Sequence, residues 1–396
     1  MVDIKGKTAH EVITKSIDFV MENGKKVDVW GGTIPKEFGD DESPSDYKQT
    51  MIEYTDGFSY YLENPRARWS EISRHWPGIT LRETEDDLFG LNPGMTPKYS
   101  KVYRESGWLQ SSDEFNNTHP ESTSEESLYP HTYGRRLFHY GDDSNGDGGI
   151  NQWEQIKKMI LKNPTTRKAT MTFERPEVDL FLMEAGEDDS AYVPCNVEFQ
   201  VRVIDGELHW HTHSRSKDIL RGSTENLFEF PVLQELFLLE LQNEGMDVSL
   251  GPYVEQVDNV HIYQDQIDQG YLEHNVKDVY DYCDTMSIDS LPWELETKMK
   301  KIDNYLLNEE WVNACHIVSN IESDYWRNWK LSLVIEYVRM KADDSENLYM
   351  AGYVNIDAPW KISLAKRAYR EYGAKGWITD DFSENIDEIV GSCDER

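Results

Sequence analysis

Cysteine is scarce in this chain: four in 396 residues, Cys195, Cys283, Cys315 and Cys393, with no C-x-x-C pair. That spacing offers no framework of the kind that staples small secreted domains, and a reducing compartment is expected. Basic side chains are few as well, 40 Lys and Arg against 74 Asp and Glu, for a formal charge of −34. A surface so negative repels phosphate backbones and anionic lipid headgroups, and no local basic patch offsets it. Neither a nucleic-acid polymer nor a membrane is an expected partner. No run approaches the roughly 18 apolar residues of a membrane span, and the opening MVDIKGKTAHEV has no apolar signal region. A cytoplasmic location is therefore expected.

What is present argues for a folded protein. Hydrophobic residues make up 38% and aromatics 12%, enough for a sizeable core. The acidic side chains are spread evenly along most of the chain, a pattern that fits a halophilic surface solvated at high salt; an acid-rich mesophilic protein is the alternative. A single nucleotide is not excluded as a ligand, because a few clustered arginines suffice for one phosphate.

Thr8 precedes apolar residues at helical spacing, Val12, Ile13, Ile17 and Val20, so a helix is predicted over 8–23. From about 31 to 130 the chain is rich in Gly, Pro, Ser, Asp and Tyr, with a polar run at 111–127, and long loops or an insertion are expected. Trp153, Ile156, Met159 and Ile160 share one face of a predicted helix over 152–162, ended by Asn163-Pro164. Strands are predicted at 137–140, 169–173, 196–204, 208–214 and 254–263, with an Asp205-Gly206 turn. Residues 227–244 are apolar almost all round and predict a buried helix. Beyond 271 amphipathic helices are expected at 276–282, 293–307, 310–321, 326–341 and 359–372, as a separate unit with no motif of its own.

The chemistry starts at Pro194-Cys195. A cysteine is a nucleophile only where its thiolate is favoured, and a strand cysteine alone reads as inert core. Here Arg167-Lys168 and Arg215 lie in the same segment, and such cations serve both thiolate and phosphate.

The ordered strings Tyr133-Gly134-Arg135-Arg136-Leu137, Asn163-Pro164-Thr165-Thr166-Arg167, Pro194-Cys195, Arg215-Ser216-Lys217-Asp218, Gly222 followed by Asn226, and His261-Ile262-Tyr263 make the chain similar to one family. They resemble the thymidylate synthase and pyrimidine hydroxymethylase family, most closely its archaeal branch. Thr8-Ala9-His10-Glu11 and Glu63-Asn64-Pro65-Arg66-Ala67-Arg68 resemble the same branch. The resemblance implies an α/β (α+β) fold with a large mixed β-sheet and packed helices and a catalytic domain over 1–270 that includes an uncertain insertion at 71–128; it does not cover 271–396, which the amphipathic pattern reads as a helical C-terminal appendage. It implies a homodimer that transfers a one-carbon unit from 5,10-methylenetetrahydrofolate, or a related methylene-tetrahydropterin, to C5 of dUMP, giving dTMP. Two alternatives stay open: a hydroxymethylase acting on dUMP or dCMP, and a non-catalytic nucleotide-binding protein.

By the same resemblance Cys195 adds to C6 of the pyrimidine. Arg215, Ser216 and Arg167 bind phosphate, Arg167 and Lys168 reach across from the partner subunit, and Arg66 or Arg68 supplies a mobile phosphate ligand. Asn226 reads the uracil edge, where a cytosine reader would be Asp. His261 and Tyr263 hold the sugar 3′-hydroxyl, Asp218 orients the pterin, and Tyr133 assists proton removal. Lys168, Asn196 and Asn259 depart from the Arg, His and Asp of bacterial members. The catalytic Glu and the Trp expected against the methylene intermediate would fall in 71–128.

Two metal patterns stand apart from the family. Asp143, Asn145, Asp147, Asn151 and Glu154 fit the spacing of a calcium loop, with Gly148 beside a Gly-rich turn. His209, His211 and His213 alternate along one strand face and read more simply as ordinary strand positions.

Overall fold

The protein is described from a computed structural model, which covers residues 2–30, 48–70, 72, 81, 84, 133–141, 149–176, 179, 194–268, 270, 272, 286, 292–308 and 310–341. Strand β1 (Val2–Gly6) leads to helix α1 (Ala9–Asn23), whose start is fixed by Thr8: its Oγ1 accepts from the Glu11 amide at 3.1 Å. Strands β2 (Lys25–Trp30), β3 (Lys48–Tyr54) and β4 (Phe58–Leu62) follow. Helices α2 (Tyr133–Phe138) and α3 (Gln152–Lys162) precede β5 (Thr170–Thr172), β6 (Asn196–Ile204), β7 (Glu207–Ser214) and the short β8 (Lys217–Asp218). A π-helical turn over Ile219–Ser223 runs into the long helix α4 (Thr224–Asn243). Strands β9 (Ser249–Val257) and β10 (Val260–Tyr263) and helices α5 (Gln264–Asp268), α6 (Pro292–Leu307), α7 (Trp311–Val318) and α8 (Asp324–Lys341) complete the described chain.

The strands form two sheets, a mixed one in the order β1-β4-β9-β7-β6-β5 and a smaller one in the order β2-β3-β10-β8. In the larger sheet β1 runs parallel to β4 and β7 parallel to β9, while the remaining neighbours are antiparallel. Helix α4 is buried on every side from Thr224 to Leu241. Gln234 on it donates to the Leu208 and Gly251 carbonyls at 2.9 and 3.0 Å, clipping the helix to β7 and β9. Trp153 of α3 meets Phe237 of α4 edge to face, and Phe199 of β6 meets Phe230 likewise.

The fold corrects three expectations. Residues 137–140 are not a strand: Leu137 and Phe138 end α2, both buried, and only Tyr140 extends, paired with Ile150 through two backbone hydrogen bonds. The single strand expected at 254–263 is two, because at Asp258-Asn259 the chain passes from the larger sheet to the smaller; the Asp258 amide donates to Ser214 and the Asn259 carbonyl accepts from Lys217. The loop-rich stretch from 31 to 130 contains β3 and β4. The described helices after 270 touch the rest of the chain. Trp329 of α8 packs on Phe228 of α4 with ring centroids 5.8 Å apart, the Arg68 guanidinium lies 5.9 Å from the Tyr325 ring, and their apolar residues join one core. The helices expected at 276–282 and 359–372 lie outside the described residues. Among the described residues no helix is long and apolar enough to cross a membrane.

Candidate active site

Cys195 sits one residue before β6, half-buried, with a free thiol. Its carbonyl accepts from the Arg215 amide at 2.9 Å, and Arg215 Nε donates to the Pro194 carbonyl at 3.1 Å, so the end of β7 holds the start of β6. The register of these strands shifts between Asn196 and Glu198, a bulge beside the cysteine that turns its neighbours out of the regular ladder. The Asn196 amide lies 3.4 Å from Tyr133 Oη, whose ring is wedged edge to face between Phe173 and Phe230.

Behind Cys195 a polar cluster is sealed in the core. Asn196 is buried and its Nδ2 lies 3.4 Å from Asn226 Oδ1; Asn226 Nδ2 donates to Glu229 Oε2 at 3.2 Å. Lys217, buried, donates to Asn196 Oδ1 at 2.6 Å and to Asn226 Oδ1, and pairs with Glu255 Oε1 at 3.1 Å. Lys217, Glu229 and Glu255 were not among the expected site residues. One signal was readable: Glu255 stands between Tyr253 and Val257 in the inward register of β9, where an acid needs a buried partner.

A second group forms where β8 runs beside β10, with His261 opposite Asp218. Asn259 Nδ2 donates to Glu53 Oε2 at 2.5 Å, which turns its Oδ1 toward His261 Nδ1 at 2.9 Å. Nδ1 therefore carries the proton, and Nε2 is left as an acceptor. Burial depresses the His261 pKa and keeps the ring neutral. Tyr263 stacks edge to face on His261; burial first, then the Asp218 charge, pushes its phenol up to about 12, and Cys195 is near enough to add to the effect. Asp218 Oδ1 caps the Leu220 amide at 2.9 Å and Oδ2 accepts from Gln266 at 2.6 Å. Ser216 Oγ lies 3.5 Å from Asn259 Oδ1.

Other expected residues are placed elsewhere. Arg167 and Lys168 are exposed on the turn after α3, and among the described residues neither makes an ion pair. Arg66 Nε and an Arg68 guanidinium nitrogen both bind Glu235, at 2.7 and 2.6 Å. Arg68 is fully buried there in a core ion pair, and Arg66 remains a third exposed. Of the calcium-loop residues, Asp143, Asn145 and Asp147 lie outside the described residues. Asn151 Oδ1 instead caps α3, accepting from the Glu154 amide at 2.8 Å, and the Glu154 carboxylate pairs with Lys157. These two side chains have a full local explanation without an ion. The three histidines of β7 do not converge either: His209 and His211 stack, and His213 Nε2 reaches Asp258 at 3.2 Å. Among the described residues no group of three or more His, Cys, Asp or Glu could hold a metal. The catalytic Glu and the Trp expected in 71–128 also lie outside the described residues.

The half-buried Cys195 thiol thus stands at the edge of a buried amide cluster, with His261 and Tyr263 in a second group beside it. The family model of thymidylate synthase matches residues 98–331, more than half of the chain, and the chain belongs to that family. It is similar to the thymidylate synthase of Oenococcus oeni, 25% identical over 208 residues that cover 52% of this chain and 58% of that protein. Thymidylate synthase 1 of Bacillus subtilis is 27% identical over 173 residues, 40% of this chain and 57% of its own length. The thymidylate synthase of Bacillus phage phi3T is 29% identical over 144 residues, 36% and 47% of the two chains. The chain thus spans about half of the length of these relatives.

Proposed function

We propose that this chain transfers a one-carbon unit to C5 of dUMP, giving dTMP, through a covalent adduct on Cys195. The observation that carries the reading is Asn196: its backbone adjoins the nucleophile and its side chain touches Asn226, so thiol and base-reading amide share one small site. The Cys195 thiolate adds to C6, and the C5=C6 electron pair moves toward O4 as an enolate. Asn226 Nδ2 offers that oxygen a hydrogen bond that strengthens as charge develops. Once C5 of the enolate has bonded the one-carbon unit that a bound methylene-pterin would supply, its proton leaves by a route in which Tyr133 Oη, beside the Asn196 amide, takes part. Expulsion of the Cys195 sulfur from C6 restores the ring double bond and frees the enzyme.

His261 Nε2 accepts from the sugar 3′-hydroxyl with Tyr263 beside it. Arg215 and Ser216 hold the phosphate, joined by Arg66 and by Arg167 and Lys168 from a second copy, which makes a homodimer the working form; the exposure of the last two fits that role. A reduced methylene-tetrahydropterin such as 5,10-methylenetetrahydrofolate supplies the carbon and, in the last step, the hydride. The half-buried Asp218 carboxylate, next to Tyr263, fits the N–H donors of such a ring.

The test is incubation with dUMP and methylenetetrahydrofolate, following dihydropterin absorbance and product mass together. Thymidylate with one dihydropterin per turnover is expected. Hydroxymethyl-dUMP without oxidation would assign the hydroxymethylase reaction instead, and binding without turnover would leave a non-catalytic nucleotide-binding protein.

A further inference from the structure

An asparagine amide is an ambiguous reader, because a flip about its last torsion exchanges donor for acceptor and so uracil O4 for the cytosine amino group. In this chain the flip is blocked from both sides. Lys217, an ammonium with three donors and no acceptor, can face only Asn226 Oδ1, and the Glu229 carboxylate can face only Nδ2. We propose that Lys217 is a specificity-determining positioning residue that locks Asn226 with a donor toward the base and thereby selects uracil over cytosine.

The surroundings suit that task. Lys217 is 2% exposed and all three of its N–H groups have acceptors, Asn196 Oδ1, Asn226 Oδ1 and Glu255 Oε1. Its Nζ lies 5.6 Å from the centre of the Phe230 ring. Glu255 balances the charge and is itself held by Ser214 Oγ at 2.7 Å and Tyr253 Oη at 3.2 Å, so the ammonium cannot turn away. A charged donor on Oδ1 polarises the amide and strengthens the remaining Nδ2–H. That hydrogen meets an acceptor at O4 of uracil, and an amino group in cytosine. The 3.4 Å contact from Asn196 is the weakest on Oδ1 and gives way to the uracil N3–H. The cation behind the amide also favours the enolate that thiolate addition creates on O4.

The inference rests on the dUMP reading above, and its test separates the two. Dissociation constants for dUMP and dCMP are measured on the full chain and on Lys217→Met/Glu255→Gln, which removes both charges together. The native chain should prefer dUMP, and the double variant should lose about tenfold of that preference, the weight of one charged hydrogen bond. Lys217→Gln, whose amide can donate to Glu255 and present either a donor or an acceptor to Asn226, should erode the same ratio in case the double variant fails to fold. A purely structural lysine would weaken both nucleotides alike; an unchanged ratio in these variants overturns the proposal while leaving the dUMP reading intact. If the native chain binds neither nucleotide, both fall.

Discussion

Burial holds the His261 imidazole below the ordinary histidine value of 6.5, and it does the same, with help from His209 and Arg202, for His211. Below pH 6.5 the unfolded chain takes up protons at both positions while the native chain resists them. Their contribution is therefore complete above that pH and is lost as pH falls from it toward the lower native values. Denaturant midpoints measured from pH 8 to about pH 5 should fall along this limb, and His261→Asn should flatten it; an unchanged slope in the variant would show that His261 titrates normally. Cys195, Arg215, Asn226 and His261 were legible as candidates in the sequence because each sits in a short string whose chemistry is local. Lys217, Glu255 and Glu53 were not, since their meaning lies in partners far along the chain: Glu53 meets Asn259 across a sheet, and Glu255 meets Lys217 between sheets. Nothing near Arg68 in the sequence announces its ion pair with Glu235 either.

Elements with complete local signals came out as expected. The helix over 152–162 has an Asn cap, an apolar stripe and an Asn-Pro stop, and the 196–214 hairpin turns at Asp205-Gly206, both with positive φ. Where a tertiary partner decides, the pattern failed: β1 to β4 are short strands of mixed polarity, of which β3 pairs with distant β10 and β4 with distant β9. The calcium-like spacing has a second reading at its described end, since Asn and Glu at helix starts answer equally to capping. Asn151→Ala should cost about 1 kcal/mol by loss of the cap, and the native melting temperature should not change when a chelator is added. A drop on chelation would return an ion to the loop.

The whole molecule carries −34 formal charges, and its surface repels itself at low ionic strength. We infer salt adaptation from that balance, so the melting temperature should climb between about 0.1 and 2 M KCl as screening shortens from roughly 10 Å to a few. A flat response would leave only an acidic mesophilic protein. The central claim, that the site between β6, β8 and α4 does its chemistry through Cys195, is tested most directly by one mass measurement. The chain is incubated with 5-fluoro-dUMP and methylenetetrahydrofolate, digested, and its cysteine peptides are weighed. Fluorine at C5 cannot leave as a proton, so a stable ternary adduct is predicted on the peptide containing Cys195; label on the Cys283 or Cys315 peptide, or no label at all, would contradict the account.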